Sequence, residues 1–595
     1  MKRILFIQLC ILLLAATSCT KGFFDQVPDD RLTLEQTFLN RATTEQYLAG
    51  VYGYIRREVD HNGANTPWEG LSDDMDVTYN DYPTYAMNLG NWDINRGDYN
   101  FWGHYYQGIR SAAVFLKYVD LNKDMTADEI TKYKAEARVL RAWFYFCLMR
   151  QYGPVIIMPD EPMQPDATID QLSMPRNSYD ECVAYVAQQI DQALPDLPAQ
   201  ASNVRDWGRI NKGMAIGMKS RLLLYAASPL FNGNAAYANF KNLDGKLLIN
   251  QQYDQNKWKI AADAAKELID LGLYSLYVKK DGQGKVDAYA SLKGMFLNDW
   301  NSEVILANGR HTDMQPIDRS GTPRSLGGWS SWGPTQMLVD EFFMANGRAI
   351  TDPQSGYTET GFTNQETSYF AAGTYNMYVG REPRFYVAIS FDQSKWINSD
   401  KNPKPLVIEH YSGGNSGLGT SRNYSRTGYV NRKLVHPNTT LNPDRFAIRM
   451  EVLIRYGEIL LNYVEALNEY DPGNPDILKY LNMIRERAGI NLYGTAVSEI
   501  APPASQELMR AAIRKERRVE LAFENFRFFD TRRWKIAEQV EGGAFWGMNV
   551  EGRNKTEFAQ RKVFETRVWR DRQYLWNITQ SELNRNKNLV GNPGW

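Results

Sequence analysis

The chain is poor in the residues that carry redox and metal chemistry: 595 residues hold only 4 cysteines and 5 histidines. Cys10 lies in the leader and Cys19 at its end, so Cys147 and Cys182 are left, and two thiols build no metal site. Both sit in helical patterns and read as small buried hydrophobes, with a disulfide between neighbouring helices as the lesser alternative. Neither sign of charge is in excess. Lys plus Arg number 68 against 69 Asp plus Glu, a formal net charge of -1, and no basic block stands out, which argues against nucleic acid and favours a neutral ligand.

Catalytic motifs are also missing. GGNSGLG around Ser416 lacks the spacing of a nucleophile elbow, the histidines form no HExxH pair, and DGQGKVD around Gly284 is no phosphate loop. Asp120, Asn122 and Asp124 alternate as in a calcium loop, but Met125 replaces the turn glycine and Thr131 the bidentate glutamate, so helix capping accounts for them better. A glycosidase needs two carboxylates at a set separation, and Asp73, Asp74 and Asp76 supply carboxylates without that separation being readable. Their loop reads as solvated, ligand-orienting or calcium-binding. No enzyme and no cofactor is expected, a structural calcium ion being the one metal left open.

Long apolar runs are confined to the start. Lys2 and Arg3 precede the run Ile4 to Ala16, too short to span a bilayer, so residues 1–18 read as a signal peptide. The ending LLLAATSC resembles a bacterial lipobox, with Ala16 where leucine is usual, and assigns lipidation to Cys19. An ordinary secretory cleavage with Cys19 as a stray thiol is the alternative reading. Several acyl chains on one cysteine hold a protein stably on a bilayer, where a single chain binds only marginally.

What is present in quantity is helical pattern and aromatic side chains. After a tether over residues 19–34, Phe38, Leu48, Val51, Tyr52 and Ile55 share one helix face. Thr126 with Glu129, and Ser178 with Glu181, form capping boxes ahead of two long helices. Further helical patterns cover Asn211 to Ala227, Trp258 to Leu271, Val452 to Asn468, Asp476 to Arg487 and Gln506 to Asn525. The helices come in pairs like tetratricopeptide units, each needing a neighbour to cover its apolar face. Residues 61–100, and the longer stretch 273–449 with only short strand-like runs such as EVILANG and RFYVAIS, read as loops. The expected fold is mainly α. A helix-pair scaffold is contributed by residues 35–272 and 450–595 and carries the loop-rich module 273–449.

Several segments in order resemble the SusD/RagB family of outer-membrane nutrient-uptake lipoproteins. They are FFDQVPDD after Cys19, ATTEQYLAGVYGYI, AEARVLRAWFYFCLMRQYGPVII, GRINKGMAIGMKSRLLLYAASPLFN, IRYGEILLNYVEALNEY, LNMIRERAG, IRKERRVELAFENFRFFDTRRW and the ending NLVGNPGW. The run from Arg514 to Glu520 also has a purely structural reading, charges paired at helical spacing. The resemblance implies a SusD-like, lipid-anchored protein on the surface of a Gram-negative, Bacteroidetes-type bacterium. Such a protein binds oligosaccharides without cleaving them and hands them to a SusC-like TonB-dependent transporter. The alternatives kept open are a peptide-binding member of the family, a surface lipoprotein glycoside hydrolase and a pure scaffold.

Aromatic residues make up 13% of the chain, 15 of them tryptophan. Sugar C–H groups dock on the negative face of such rings, and nearby polar groups set the orientation. Two regions offer both ingredients. One holds Trp68, Asp73, Asp74, Tyr79, Asn80 and Trp92; the other holds Trp300, Arg310, Arg324, Trp329 and Trp332, with Gly327, Gly328 and Gly333 beside the last two tryptophans.

Overall fold

A computed structural model describes residues 32–58, 66–164, 166–201, 203–311, 315–396, 405–496 and 500–595, the side chains of Arg310 and His311 excepted. The signal peptide, Cys19 and most of the tether lie outside the described residues.

Helices dominate. In chain order they include α1 (Arg41–Tyr52), α2 (Trp102–Tyr118), α3 (Ala127–Tyr152), α4 (Tyr179–Ala193), α5 (Lys212–Ala227), α6 (Asn256–Asp270), α7 (Gln315–Ser320), α8 (Tyr456–Tyr470), α9 (Pro475–Arg487), α10 (Gln506–Glu520) and α11 (Arg527–Arg533). The strands used below are β1 (Met75–Val77), β2 (Val304–His311), β3 (Trp332–Pro334), β4 (Arg449–Arg455), β5 (Gly543–Met548) and β6 (Arg561–Arg567).

Both expected capping boxes form, Thr126 with Glu129 at α3 and Ser178 with Glu181 at α4. From Ala135 onward α3 is buried nearly all round, so it is the axis of the scaffold rather than a surface helix. Its buried charges are paired: Glu136 with Arg209 at 3.0 Å, Arg141 with Asp160 at 2.9 Å, and Arg150 with Glu58. It stops at Gly153, whose φ of 75° is open to glycine, and a Cβ there would meet Leu575 at 2.9 Å. Helix α2 packs on α3, α3 on α4, α5 on α6, and α6 on α8, which in turn holds α9 and α10. The alanines 261, 262, 264 and 265 of α6 are buried in that stack. One apolar core therefore runs from Phe38 through both ends of the chain to Leu589.

A second core lies in the middle of the chain around Phe342, Phe385, Ile389 and Tyr429, and it also takes in Met75, Val77 and Val519. Two local expectations change here. The pattern from Val452 is helical only from Tyr456, because Arg449–Arg455, buried on both faces, pairs antiparallel with β2. RFYVAIS is mostly a short helix, Pro383–Ala388, opened by proline at its first turn, and only Ile389–Ser390 is strand.

The charged run of α10 is not a solvated face. Glu516 pairs with Arg485 at 3.1 Å and with Arg384; Glu520 pairs with Arg455 at 2.8 Å, Arg384 at 3.2 Å and Arg487; Glu303 holds Arg455 and Arg487. These side chains are almost wholly buried, and their partners come from both the helical ends and the central module. A network of this kind costs more to break at one member than its net contribution to stability. It ties the module to the scaffold. Among the described residues no helix is long and apolar enough to cross a membrane.

Candidate functional site

The first predicted region divides in two. Trp68, in the short helix Pro67–Gly70, is 3% exposed, and Phe529, Phe528, Trp576 and Phe101 ring it at centroid distances of 4.9 to 5.9 Å. Trp92 is 2% exposed, 4.3 Å from Trp576 and 5.4 Å from Trp595, and donates its indole N–H to Asn577 Oδ1 at 3.1 Å. Both were expected as loop platforms. Both are core, because residues some 450 to 500 positions further on close over them.

Asp73 and Asp74 are likewise buried rather than solvated. Arg518 reaches Asp73 at 2.8 Å and Asp74 at 2.7 Å, and Arg527 reaches Asp73 at 2.6 Å. Burial pushes both carboxyls up; Arg518 and Arg527 overcome it at Asp73 and hold that group below its ordinary range, while Asp74 stays raised. Asp76 is spent on Arg426 at 2.7 Å. Among the described residues no group of three His, Cys, Asp or Glu side chains is placed to hold a metal ion.

Of the second region, Trp332 is 2% exposed in the second core, so the expectation of a Trp329 and Trp332 pair is corrected to Trp329 alone. Trp300 is half-buried against Trp207 at 6.4 Å and its φ is 47°. It packs on a different part of the molecule. Arg310 belongs to β2, and its side chain lies outside what is described.

What remains of the two regions meets. Strand β1 pairs antiparallel with β3, Val77 opposite Trp332, and the Thr78 N–H donates to Ser331 O at 2.9 Å. Tyr79 and Asn80 on one strand, Ser330 and Trp329 on the other, therefore leave the ladder at the same end. The turn carrying Trp329 is fixed by its backbone: the Trp329 N–H donates to Arg319 O at 2.6 Å, Ser330 to Thr322 O at 3.1 Å, and Ser331 to Ser320 O at 3.0 Å. Gly328 has no room for a side chain, since a Cβ would lie 1.9 Å from Thr322 O. Ser330 itself sits at φ 51°, a strained position for a non-glycine residue.

Side chains complete a ledge around the half-buried Trp329 ring. The Arg319 guanidinium lies 5.8 Å from the Trp329 and Phe446 ring centroids and pairs with Asp444. Arg324, five residues along on the same turn structure, donates to Gly417 O at 2.9 Å, and Ser325 Oγ lies 2.7 Å from Ser416 Oγ. On the other side the Tyr79 hydroxyl donates to Asn423 Oδ1 at 2.6 Å. Arg422 covers the Tyr79 ring at 4.0 Å and pairs with Asp81 at 2.7 Å. Asn80 is exposed beside them.

Sequence reasoning missed Arg422, Asn423 and Ser416 as site residues. Ser416 lay in GGNSGLG, weighed only as a nucleophile motif, and the signal for Arg422 and Asn423 was the polar run TSRNYSR that follows it. A cavity of about 820 Å³ lies elsewhere, between α2 and residues 156–172, lined by Trp102, Ile109, Met158 and Leu172 among others. It suits a sugar less well. Its exposed walls are mainly apolar, although Gln107, Arg110 and Arg141 also line it, and the hydroxyls of Tyr106 and Tyr145 are already bonded to the backbone of Ile156 and Met158.

Two family models match the chain: "SusD family" over residues 297–595 and "Starch-binding associating with outer membrane" over residues 22–224. The protein belongs to the SusD family. A SusD-like protein of Bacteroides ovatus is 21% identical over 89% of this chain and 82% of its own length. SusD-like protein P2 of Formosa agariphila is 35% identical over 24% of this chain, a stretch that spans only 25% of that relative. Among solved structures, a protein named BT4246 superposes with a TM-score of 0.78 at 25% identity, covering 93% of this chain and 99% of that one. A SusD-like protein from Bacteroides fragilis gives 0.75 at 24% identity over 94% and 98%. The mainly helical SusD-like fold expected from the sequence is the fold observed.

Proposed function

We propose that this SusD-family protein binds oligo- or polysaccharide on the cell surface without cleaving it. It would be tethered to the outer membrane through acylated Cys19 and would deliver glycan to a SusC-like TonB-dependent transporter. The observation that carries the binding site is Trp329: a half-buried ring on a backbone-bolted turn that also carries Arg324, at the end of the ladder where Asn80 and Tyr79 emerge, with Asn423 and Arg422 held against Tyr79. Rigid ring and few polar groups are what sugar recognition needs. Structures with the same fold bear the names "Laminarin binding SusD-like protein" (19% identity, TM-score 0.57) and "Surface glycan-binding protein A from Bacteroides fluxus" (17%, 0.58), which supports the class of ligand.

Binding is favoured over hydrolysis by the carboxylates at hand. Asp81 and Asp444 are each taken by an arginine, and the Arg422 hydrogen bond lowers Asp81 where a general acid needs its pKa raised. The test uses the mature chain carrying Cys19→Ala, run by affinity electrophoresis through a panel of polysaccharides and assayed for released reducing ends. Retention without released ends is expected. Released ends would establish a hydrolase, and no retention on any glycan would overturn the binding reading.

A further inference from the structure

Overall charge balance points to a neutral ligand, but the ledge is not neutral locally. Three arginines, Arg319, Arg324 and Arg422, stand around Trp329 and Tyr79 against two carboxylates, Asp81 and Asp444. Two of the three are paired. The Arg422–Asp81 pair is more than half exposed on both sides, so water screens it and a competing anion exchanges with it at little cost.

Arg324 is the informative one. It is half-buried; its guanidinium donates from Nη2 to the backbone Gly417 O at 2.9 Å, and its backbone N–H donates to Ser330 Oγ at 3.0 Å. Its Nε is buried without a hydrogen-bond partner in the protein, and no carboxylate pairs with it among the described residues. Gly419 leaves the approach open; even a Cβ there would stay 3.6 Å from Nη1. A partly desolvated guanidinium without a counter-charge is costly. Its planar fork matches a carboxylate or a sulfate in a bidentate contact, a geometry that a neutral hydroxyl does not use fully.

Building on the glycan reading of this ledge, we propose that the ligand is an acidic glycan. One sugar ring lies on Trp329, and the carboxylate of a uronic acid, or a sulfate ester on the same ring, is taken by Arg324. Arg319 stays committed to Asp444 behind the ring, and Arg422 receives a second acidic residue along the chain. Negative charge on the ligand, rather than a particular sugar, is the shared feature.

The test is calorimetry on the full mature chain with Cys19→Ala. The probes are oligogalacturonate, its carboxyl-reduced counterpart, a sulfated galactan and its desulfated form. Tighter binding of an acidic probe than of its neutral partner, by about tenfold or more, is expected, with affinity falling as salt rises. Which acidic probe wins tells carboxylate from sulfate. Arg324→Gln should remove that preference, weakening the acidic probe about tenfold more than its neutral partner, Arg324→Lys should keep part of it, and circular dichroism checks that both variants fold. Equal affinity of the wild-type chain for acidic and neutral partners overturns the proposal whether or not the variants fold, and so does an unchanged preference in Arg324→Gln. Binding of neutral glycans alone, lost in Trp329→Ala, sinks the acidic ligand and spares the ledge. Binding of no glycan at all sinks both.

Discussion

Replacing Trp329 and Trp332 one at a time should separate binding from stability, because two tryptophans three residues apart occupy opposite environments. Trp332 is 2% exposed and packed in the second core across from Val77. Its truncation to alanine removes a fully buried ring and leaves a cavity, at a cost of about 3 to 5 kcal/mol. Trp329 is half-buried, and the hydrogen bond from its N–H to Arg319 O survives in alanine. What is lost is the contact with the Arg319 guanidinium, worth about 0.5 to 1 kcal/mol near a surface. For the ligand the order reverses: a sugar stacked on Trp329 loses about 1 to 2 kcal/mol, a weakening of roughly five- to thirty-fold. Urea unfolding followed by fluorescence gives the stability side, and calorimetric titration with the cognate glycan gives the other. Glycan affinity retained in Trp329→Ala, or a Trp332→Ala variant as stable as wild type, would refute the placement of the two rings.

The buried carboxyls set the pH behaviour. Burial raises Glu69 to about 8, with Asp74 adding to it, while its Oε1 accepts the Asn525 N–H at 2.6 Å. A carboxyl raised on folding favours the native state below its ordinary pKa and withdraws that contribution as pH climbs toward 8. Glu69→Gln keeps the acceptor and should therefore gain stability at pH 8 relative to pH 5, by a few kcal/mol at most; a parallel pH profile in both proteins would contradict this. Asp73 works in the opposite direction. Held low at about 2 against its burial by Arg518 and Arg527, it contributes above about pH 4 and is lost as pH falls toward 2, a loss that Asp73→Asn should abolish. Arg455→Met leaves Glu303 and Glu520 buried with one cation fewer and should cost about 3 to 5 kcal/mol by denaturant titration. Gly328→Ala drives a Cβ against Thr322 O and should weaken glycan binding even where the fold survives, read by the same calorimetry.

Helices were legible where the signal is local. The capping boxes at Thr126 and Ser178 and the apolar faces that follow depend on residues three or four apart, and they appear where expected. Burial of Trp68, Trp92 and Trp332 was not legible, since non-periodic sequence around each gave no hint that Phe528, Trp576 or Tyr429 would arrive from far along the chain. The same holds for the acidic loop. Asp73 and Asp74 looked solvated because their counter-charges, Arg518 and Arg527, sit about 450 residues away on α10 and α11. Spacing along α10 showed a charged helix but could not show that its partners are Arg384, Arg455 and Arg485 rather than its own neighbours one turn on. Trp329 was readable through Gly327 and Gly328, which mark a tight turn; Arg422 and Asn423 reach Tyr79 only through the fold.

Hydrogen-exchange mass spectrometry of the mature protein with and without saturating cognate glycan tests the location of binding directly. Added protection confined to residues 78–82, 322–331 and 417–424 is the predicted footprint. Protection along α2 and residues 156–172 instead, with the Trp329 turn unchanged, would place the ligand in the apolar cavity and contradict the account.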